Sequence, residues 1–85
     1  MANAIEFTHR SEKQLGSLPV QAQQRIRRRI DDLADDPRPR GTVKMEGREG
    51  QYRIRVGDYR VIYQIKDDVL LVLVIDIGNR REIYR

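Results

Sequence analysis

The sequence predicts an α+β fold, in which a small antiparallel sheet in β-α-α-β-β-β order carries an αα-hairpin packed on one face. Three observations predict it: a helical apolar period over residues 20–33, strand-like alternation around a glycine turn over residues 51–65, and an apolar run over residues 69–77. We expect one domain spanning residues 1–85, because so short a chain buries only about 60% of its unfolded surface and cannot build two cores.

The N-terminal part of the chain predicts a short strand and a short helix. Residues 4–7 alternate apolar and other side chains, as a half-buried strand does. Ser11 followed by Gln14 resembles a capping box and indicates a helix start. This first helix is expected to end near Gly16 or Leu18.

A second helix is predicted from Pro19, which suits a first helical turn. Its apolar residues recur at intervals of four, four and three, namely Ala22, Ile26, Ile30 and Leu33. That spacing makes one stripe, so the helix packs by one side. Asp36 before Pro37 ends it, because proline restricts the preceding residue and cannot continue a helix.

The remaining residues predict strands. Residues 42–45 form a weak strand, residues 51–56 a strong one, residues 59–65 another, and residues 69–77 the longest. If Gly57-Asp58 is a two-residue turn of type II′, Arg55 faces Arg60 across the hairpin. The core side then carries Tyr52, Ile54, Val56, Tyr59, Val61, Tyr63 and Ile65. The opposite side carries Gln51, Arg53, Arg55, Arg60, Ile62 and Gln64.

Arg55 and Arg60 are like charges placed opposite each other, which destabilises a cross-strand pair by roughly 0.2–1 kcal/mol. A polyanionic ligand explains this arrangement, because several guanidinium groups on one sheet face concentrate the field on a phosphate. The alternative is a solvated strand face whose charges are neutralised by nearby acids, for which Asp58 and Asp76 are candidates.

The last strand extends the arginine side into the tail. Asp76 is not expected among core residues, which assigns to the core side Val69, Leu71, Leu73, Ile75 and Ile77, after a three-residue turn over residues 66–68. By the same parity Arg80 returns to the arginine side. Tyr84 is either a core residue or a phenol beside guanidinium groups, where a stabilised phenolate could move a proton.

The charge balance also favours a polyanionic partner. Seventeen basic residues against thirteen acidic ones give a net charge of +4, and arginine accounts for fourteen of the seventeen. The planar guanidinium donates to two phosphate oxygens at once. A genome rich in G and C, however, also favours arginine codons.

No metal, cofactor or membrane segment is expected. The chain has no cysteine, which excludes a disulfide and a thiolate metal site and suggests a reducing cytoplasm. His9 is the only histidine and argues against a metal centre. The longest apolar run, residues 69–75, is far shorter than the ~20 residues that span a bilayer, so a soluble, unprocessed protein is expected.

Three segments resemble the RelE-type toxins of the RelE/ParE toxin–antitoxin superfamily: residues 44–47 (KMEG), 52–63 (YRIRVGDYRVIY) and 78–85 (GNRREIYR). The resemblance implies the fold predicted above and a prokaryotic, cytoplasmic toxin. It also implies an endoribonuclease, an mRNA interferase that needs no metal and cuts mRNA in the ribosomal A site, stopping translation until a cognate antitoxin neutralises it.

The resemblance also implies the residues of the site. Arg53 and Arg60 would hold the scissile phosphate, Arg55 the same or an adjacent phosphate, and Arg80 would assist the leaving 5′-oxygen. Tyr84 would be the general base or a base-stacking platform. Two departures matter, because Asn79 stands where many relatives have histidine, and arginines stand at 53 and 55 where some have lysine.

Further basic residues are candidates for RNA contact: Arg25, Arg28, Arg29, Lys44, Arg48, Arg81 and Arg85. By family analogy the three on the second helix would contact ribosomal RNA. They could equally form a solvated face partly paired with Asp31 and Asp32.

Two other functions stay open. A ParE-type toxin shares the fold, poisons DNA gyrase and cleaves no RNA, so the fold alone does not decide between the two. A non-catalytic RNA-binding module is favoured by Asn79, since asparagine is a poor proton acceptor.

Overall fold

The computed structural model describes residues 2–79, which form two helices and one five-stranded sheet. The elements in chain order are β1 (Ala4–Phe7), α1 (His9–Gly16), α2 (Val20–Asp32), β2 (Val43–Lys44), β3 (Gln51–Val56), β4 (Tyr59–Lys66) and β5 (Leu71–Asn79). The strands lie in the order β1-β5-β4-β3-β2. The predicted α+β class is confirmed, with two helices against a small sheet.

One strand pairing makes the sheet mixed instead of antiparallel throughout. β1 pairs in parallel with β5, with Ala4 opposite Leu71 and Phe7 opposite Val74, while the other three pairings are antiparallel. The two strands lie at opposite ends of the chain, so no turn residue in the sequence specifies their partnership.

The predicted apolar stripe of α2 is buried in the core. Ile26, Ile30 and Leu33 have 0% of their surface exposed, and they cluster with Leu15 of α1 and with the inward-facing residues of the sheet. Burial of each such side chain contributes about 1.5–3 kcal/mol. The αα-hairpin thus covers one face of the sheet. Neither of these helices is long and apolar enough to cross a membrane, within residues 2–79.

The start of α1 differs from the prediction. The N-cap is Thr8, whose Oγ1 accepts a hydrogen bond from the backbone N–H of Ser11 at 3.1 Å. Ser11 lies inside the helix and is fully buried, and its Oγ donates to the carbonyl oxygen of Val74 at 2.8 Å. A threonine three residues earlier therefore provides the cap, and the serine anchors the helix to β5.

The register of the β3–β4 hairpin is confirmed at every predicted pair, including Arg55 opposite Arg60 and Tyr52 opposite Tyr63. Gly57 has a φ of +60°. Within residues 2–79, Leu70 is the only residue other than glycine that has a positive φ. Asp58 therefore keeps a negative φ, as a type II′ turn requires.

The predicted core side of β5 is wrong for most of the strand. Val72, Val74 and Ile77 are buried, whereas Val69 is 62% exposed and Leu71, Leu73 and Ile75 are only partly buried. The register shifts between Ile62, which faces Asp76, and Tyr63, which faces Val74. The extra residue of this bulge reverses the parity that was counted back from Asp76.

The β4–β5 connection also differs. β4 continues through Lys66, and a 3₁₀ turn over Asp67–Val69 and Leu70 precede β5. Leu70 adopts the left-handed conformation, with φ 50° and ψ 53°. The last strand therefore starts at Leu71 and not at Val69.

Candidate active site

Three arginines of the β3–β4 hairpin line one pocket. Arg53, Arg55 and Arg60 meet there with Gly41, Val43 and Ile54 around a volume of about 140 Å³. Arg53 and Arg55 alternate along β3 to the same side, and the confirmed register places Arg60 beside them on β4. The structure thus brings together three of the five predicted catalytic residues.

The three arginines differ in burial. Arg55 is exposed, Arg53 is half-buried, and Arg60 keeps only 7% of its surface exposed. Arg60 lies on a central strand, between Arg55 on β3 and Gly78 on β5, and Ile62 on the same side is 5% exposed. The centre of this sheet face is therefore shielded from water, where a fixed charge acts more strongly on a bound anion than in bulk solvent.

Asp76, one of the two acids that were candidates for neutralising these arginines, is held by α1 instead. Its Oδ1 accepts a hydrogen bond from Gln14 Nε2 at 2.7 Å, and its Oδ2 lies 3.8 Å from Arg10 Nη2. Gln14 Oε1 in turn accepts the backbone N–H of Ile77 at 2.8 Å. These contacts hold the Asp76 carboxylate against α1.

The basic surface continues from the pocket around the hairpin turn to α2. Arg55 Nε donates to the carbonyl oxygen of Gly57 at 3.4 Å. Arg25 Nη1 lies 3.2 Å from the position that a Cβ on Gly57 would occupy. Of the other predicted RNA contacts on α2, Arg28 is exposed and Arg29 half-buried. One helix arginine therefore meets the turn of the hairpin.

The wall of the pocket comes from residues that were not predicted. Val43 of β2 pairs with Arg53 and is 44% exposed, and Gly41 has a φ of +92°. Residues 42–45 were predicted as a strand. To place Val43 beside Arg53, however, the pairing register between β2 and β3 is also needed. The six-residue connection over 45–50 gave no standard turn from which to derive it.

A side-chain network holds the loop before β2 against the sheet. Tyr63 OH donates to the carbonyl oxygen of Pro37 at 2.8 Å. Arg38 pairs with Asp67 at 2.8 Å, and its Cζ lies 5.2 Å from the centroid of the Tyr52 ring. The Arg38 guanidinium lowers the pKa of the Asp67 carboxyl below its usual value. The network therefore helps to position β2, whose Val43 lines the pocket.

Two predicted RNA contacts are exposed here, Lys44 at the end of β2 and Arg48 in the β2–β3 connection. They line a wide depression of about 640 Å³ formed by residues 44–49. Residues 2–79 hold no group of three or more His, Asp or Glu side chains arranged to bind a metal ion.

Four predicted site residues lie outside the described residues: Arg80, Arg81, Tyr84 and Arg85. Their roles stay predictions. Asn79, the last described residue, ends β5 opposite Tyr59.

Comparison with known proteins relates this chain to toxins of toxin–antitoxin systems. Residues 5–84 match the family model of the ParE toxin of type II toxin–antitoxin systems, parDE. The chain is also similar to the mRNA interferase toxin RelE of Escherichia coli K12, at 27% identity over 88 aligned positions, which cover 99% of this chain and 92% of the relative.

Solved structures share the fold. A chain of the archaeal RelE–RelB complex from Pyrococcus horikoshii OT3 superposes with a TM-score of 0.83 at 30% identity, covering 94% of this chain and 97% of that one. A chain of the intact E. coli RelBE toxin–antitoxin complex gives a TM-score of 0.82 at 25% identity, covering 92% and 96%. The resemblance carried by the hairpin is confirmed, and the chain belongs to the RelE/ParE toxins of type II toxin–antitoxin systems.

Proposed function

We propose that this toxin is a ribosome-dependent endoribonuclease that cleaves mRNA in the A site and so inhibits translation. The observation that carries the proposal is the pocket formed by Arg53, Arg55 and Arg60. Its small volume suits a single phosphate group, and the chain is similar in sequence to a relative named mRNA interferase.

RNA supplies its own nucleophile for this reaction. The 2′-hydroxyl oxygen forms a bond to the adjacent phosphorus while the bond from phosphorus to the 5′-oxygen breaks. The 2′-hydroxyl loses its proton to a base, and the leaving 5′-oxygen gains one. The products are a 2′,3′-cyclic phosphate and a free 5′-hydroxyl. The enzyme must therefore align the groups, stabilise charge and move protons.

The arginines supply charge stabilisation. Arg53 and Arg60 contact the scissile phosphate, whose negative charge grows in the transition state, and Arg55 at the exposed rim binds the same or an adjacent phosphate. The burial of Arg60 supports this assignment, since a donor held in a fixed position needs little reorganisation during the reaction.

Proton transfer is assigned to the tail. Arg80 assists the departing 5′-oxygen, and Tyr84 accepts the proton of the 2′-hydroxyl or stacks on a base. These two roles rest on the resemblance of the segment GNRREIYR to the family.

The wider basic surface would bind RNA outside the reacting phosphate. Arg25, Arg28 and Arg29 of α2 contact ribosomal RNA, and the mRNA is further held by Lys44, Arg48, Arg81 and Arg85. Each phosphate contact should make binding weaker at high salt, because binding releases counterions.

A cognate antitoxin is the expected protein partner. The relatives in the solved structures are described in complex with RelB antitoxins. An amphipathic antitoxin segment covering the helices or sheet edges, or acidic residues covering the arginine side, would neutralise this toxin in the prokaryotic cytoplasm.

The test is to add purified toxin to translating ribosomes on a defined mRNA and map the cut ends. Arg53→Ala and Arg60→Lys should lower the cleavage rate, and Arg27→Ala, an exposed helix arginine outside the proposed site, should not. Arg60→Lys retains a long basic side chain at a buried position, so loss of activity would not simply report unfolding. Naked mRNA should stay intact.

Gyrase poisoning is the second candidate, because the matching family model carries the ParE name. It predicts growth arrest with intact mRNA and with DNA gyrase inhibited in a supercoiling assay. Cut A-site codons with 2′,3′-cyclic phosphate ends and unaffected supercoiling would exclude it.

A further inference from the structure

The last residues of β5 have a strand partner on one edge only. β1 pairs with β5 as far as Phe7, which lies opposite Val74. Beyond Val74, the described strands pair with β5 along its β4 edge and leave the other edge open. This open edge runs to Asn79, where the described residues end and the tail (residues 80–85) follows in the sequence. The contacts that hold the edge therefore affect how the tail starts.

Helix α1 binds this open edge through its cap and one side chain. Thr8 Oγ1 donates to the carbonyl oxygen of Ile75 at 3.2 Å. Gln14 Oε1 accepts the backbone N–H of Ile77 at 2.8 Å, and Gln14 Nε2 donates to Asp76 Oδ1 at 2.7 Å. Three successive residues of β5 are thus hydrogen-bonded to α1 and its cap.

These three residues lie at the β-bulge. Ile75 is the extra residue, because Tyr63 faces Val74 and Ile62 faces Asp76. A bulge interrupts the ladder, so the pairing before it does not by itself fix the pairing after it. A slip of one residue would move every later side chain to the opposite face of the sheet. The register after the bulge therefore needs contacts of its own.

The side-chain amide of Gln14 is suited to hold this register. It carries a donor and an acceptor, and these bind two neighbouring residues whose side chains point to opposite faces of the strand. Asp76 has an isoleucine on each side in the sequence. After a slip of one residue in either direction, an isoleucine would replace Asp76 beside Gln14, and Nε2 would lose its acceptor. The two bonds of Gln14 therefore form in one register only.

The register after the bulge connects β5 to the arginine pocket. Gly78 lies opposite Arg60, the most buried arginine of that pocket, and Asn79 lies opposite Tyr59. The tail continues the chain from Asn79. The pairing of these last residues with β4 therefore sets where the tail starts relative to Arg60.

We propose that Gln14 is a positioning residue for RNA cleavage, which fixes the register of β5 after the bulge and thereby aligns the start of the tail with Arg60. The inference rests on the proposed function, which assigns proton transfer to Arg80 and Tyr84 of that tail. Gln14 acts through the strand and touches no reacting group.

This role predicts that binding and chemistry separate. The described residues that line the arginine pocket belong to β3, β4, β2 and the loop before β2, and none of them belongs to α1 or β5. Loss of the Gln14 contacts should therefore leave phosphate binding intact. It should slow cleavage, because proton transfer depends on the exact placement of the donor and acceptor groups.

The experiment compares single-turnover cleavage of mRNA on ribosomes by wild type and Gln14→Glu. The new carboxylate still accepts the N–H of Ile77, but it repels the carboxylate of Asp76. The cleavage rate at saturating toxin should fall roughly 10²-fold, as expected for a misplacement of about 1 Å. The toxin concentration that gives half the maximal rate should change by less than about threefold, because the arginine pocket is intact.

A second substitution should rescue the first. In Gln14→Glu/Asp76→Asn the donor and the acceptor exchange sides, since the asparagine amide donates to the new carboxylate. This variant keeps the wild-type net charge of +4 and should regain a cleavage rate within about threefold of wild type. Asp76→Asn alone still offers an acceptor oxygen to Gln14 and should stay close to wild type.

Ser11→Ala is the control for a general loss of stability. Ser11 Oγ donates to the carbonyl oxygen of Val74, before the bulge, and that oxygen also accepts the backbone N–H of Thr8 at 3.0 Å. The substitution should lower the urea midpoint of unfolding and leave the cleavage rate unchanged.

NMR of the ¹⁵N-labelled toxin tests the register without ribosomes. The backbone amides of Ile77, Gly78 and Asn79 should shift in Gln14→Glu and return to their wild-type positions in the double variant. The amides of Arg53 and Arg55 on β3 should stay in place in both variants.

Three results would overturn the inference: a wild-type cleavage rate in Gln14→Glu, a double variant as slow as the single one, or a Ser11→Ala variant that is equally slow. Failure of the proposed function is a different outcome, in which wild type itself leaves the mRNA on ribosomes intact. The amide shifts would then still show whether Gln14 sets the end of β5, and unchanged amides would refute that as well.

Discussion

Arg55 and Arg60 lie directly opposite each other in the antiparallel β3–β4 ladder, and both line the same pocket. Opposed like charges weaken a hairpin, and burial of Arg60 adds to that cost because it limits screening by water. If the two arginines are kept together because they bind an anion, removing one of them should make the folded protein more stable and less active.

Arg55→Gln tests this trade-off. Since it removes the repulsion at the exposed member of the pair, the free energy of unfolding should rise by about 0.2–1 kcal/mol in a urea titration. Cleavage on ribosomes should fall by roughly 10²–10³-fold if Arg55 stabilises the developing charge. Arg27→Gln, which faces no strand, should change neither quantity, and a less stable Arg55→Gln protein would contradict the explanation.

Gly57→Ala should destabilise the toxin. A φ of +60° strains any residue with a Cβ, and the new methyl would lie 3.2 Å from Arg25 Nη1. We expect a loss of about 1–3 kcal/mol in the free energy of unfolding. Gly16→Ala is the control, because nothing lies within 4 Å of its Cβ position at the end of α1. That change should be neutral or stabilising by up to about 1 kcal/mol.

Tyr63→Phe should cost about 1 kcal/mol near neutral pH, because it removes the hydrogen bond from the phenol to the Pro37 carbonyl. Burial raises the pKa of Tyr63 above the ordinary tyrosine value of 10.0. The neutral phenol therefore stabilises the fold fully below pH 10, and this contribution is lost as the pH rises through the folded-state pKa. Urea titrations on an alkaline series should show the difference between the two proteins shrinking; a difference that grows would refute this.

Asp67→Asn should reveal an acid-dependent contribution. Arg38 holds the pKa of Asp67 below its unfolded value, so the ion pair stabilises the fold above that unfolded value and loses its effect as the pH falls through the folded-state pKa. Wild type should be slightly more stable than the variant at neutral pH and equal to it in acid. Asp68→Asn, one residue on and outside the pair, should show no such convergence.

Local pattern was enough to predict most of the elements. The α2 stripe of Ile26, Ile30 and Leu33 follows a 3.6-residue period, and only one side of such a helix can face a sheet. The β3–β4 register followed from a two-residue turn that starts with Gly57, because that turn leaves a single pairing that keeps the apolar side inward.

The same logic failed where the period was interrupted. The bulge at Ile75 adds one residue to β5, so parity counted from Asp76 assigned the wrong side to Leu71 and Leu73. The cap of α1 was misplaced for a different reason. Ser11 and Thr8 are both good caps by residue type, and their contacts distinguish them: Thr8 Oγ1 accepts from a helix N–H, whereas Ser11 Oγ donates to Val74 of β5.

By itself the sequence determined the class of fold, the hairpin and the gathering of Arg53, Arg55 and Arg60 on one side, since all of these depend on neighbours a few residues apart. Three relationships were decided only by the tertiary structure: Val43 lines their pocket, Arg25 lies beside Gly57, and β1 pairs in parallel with β5. These relationships join residues far apart in the chain, and their geometry is set by how the helices and loops pack on the sheet.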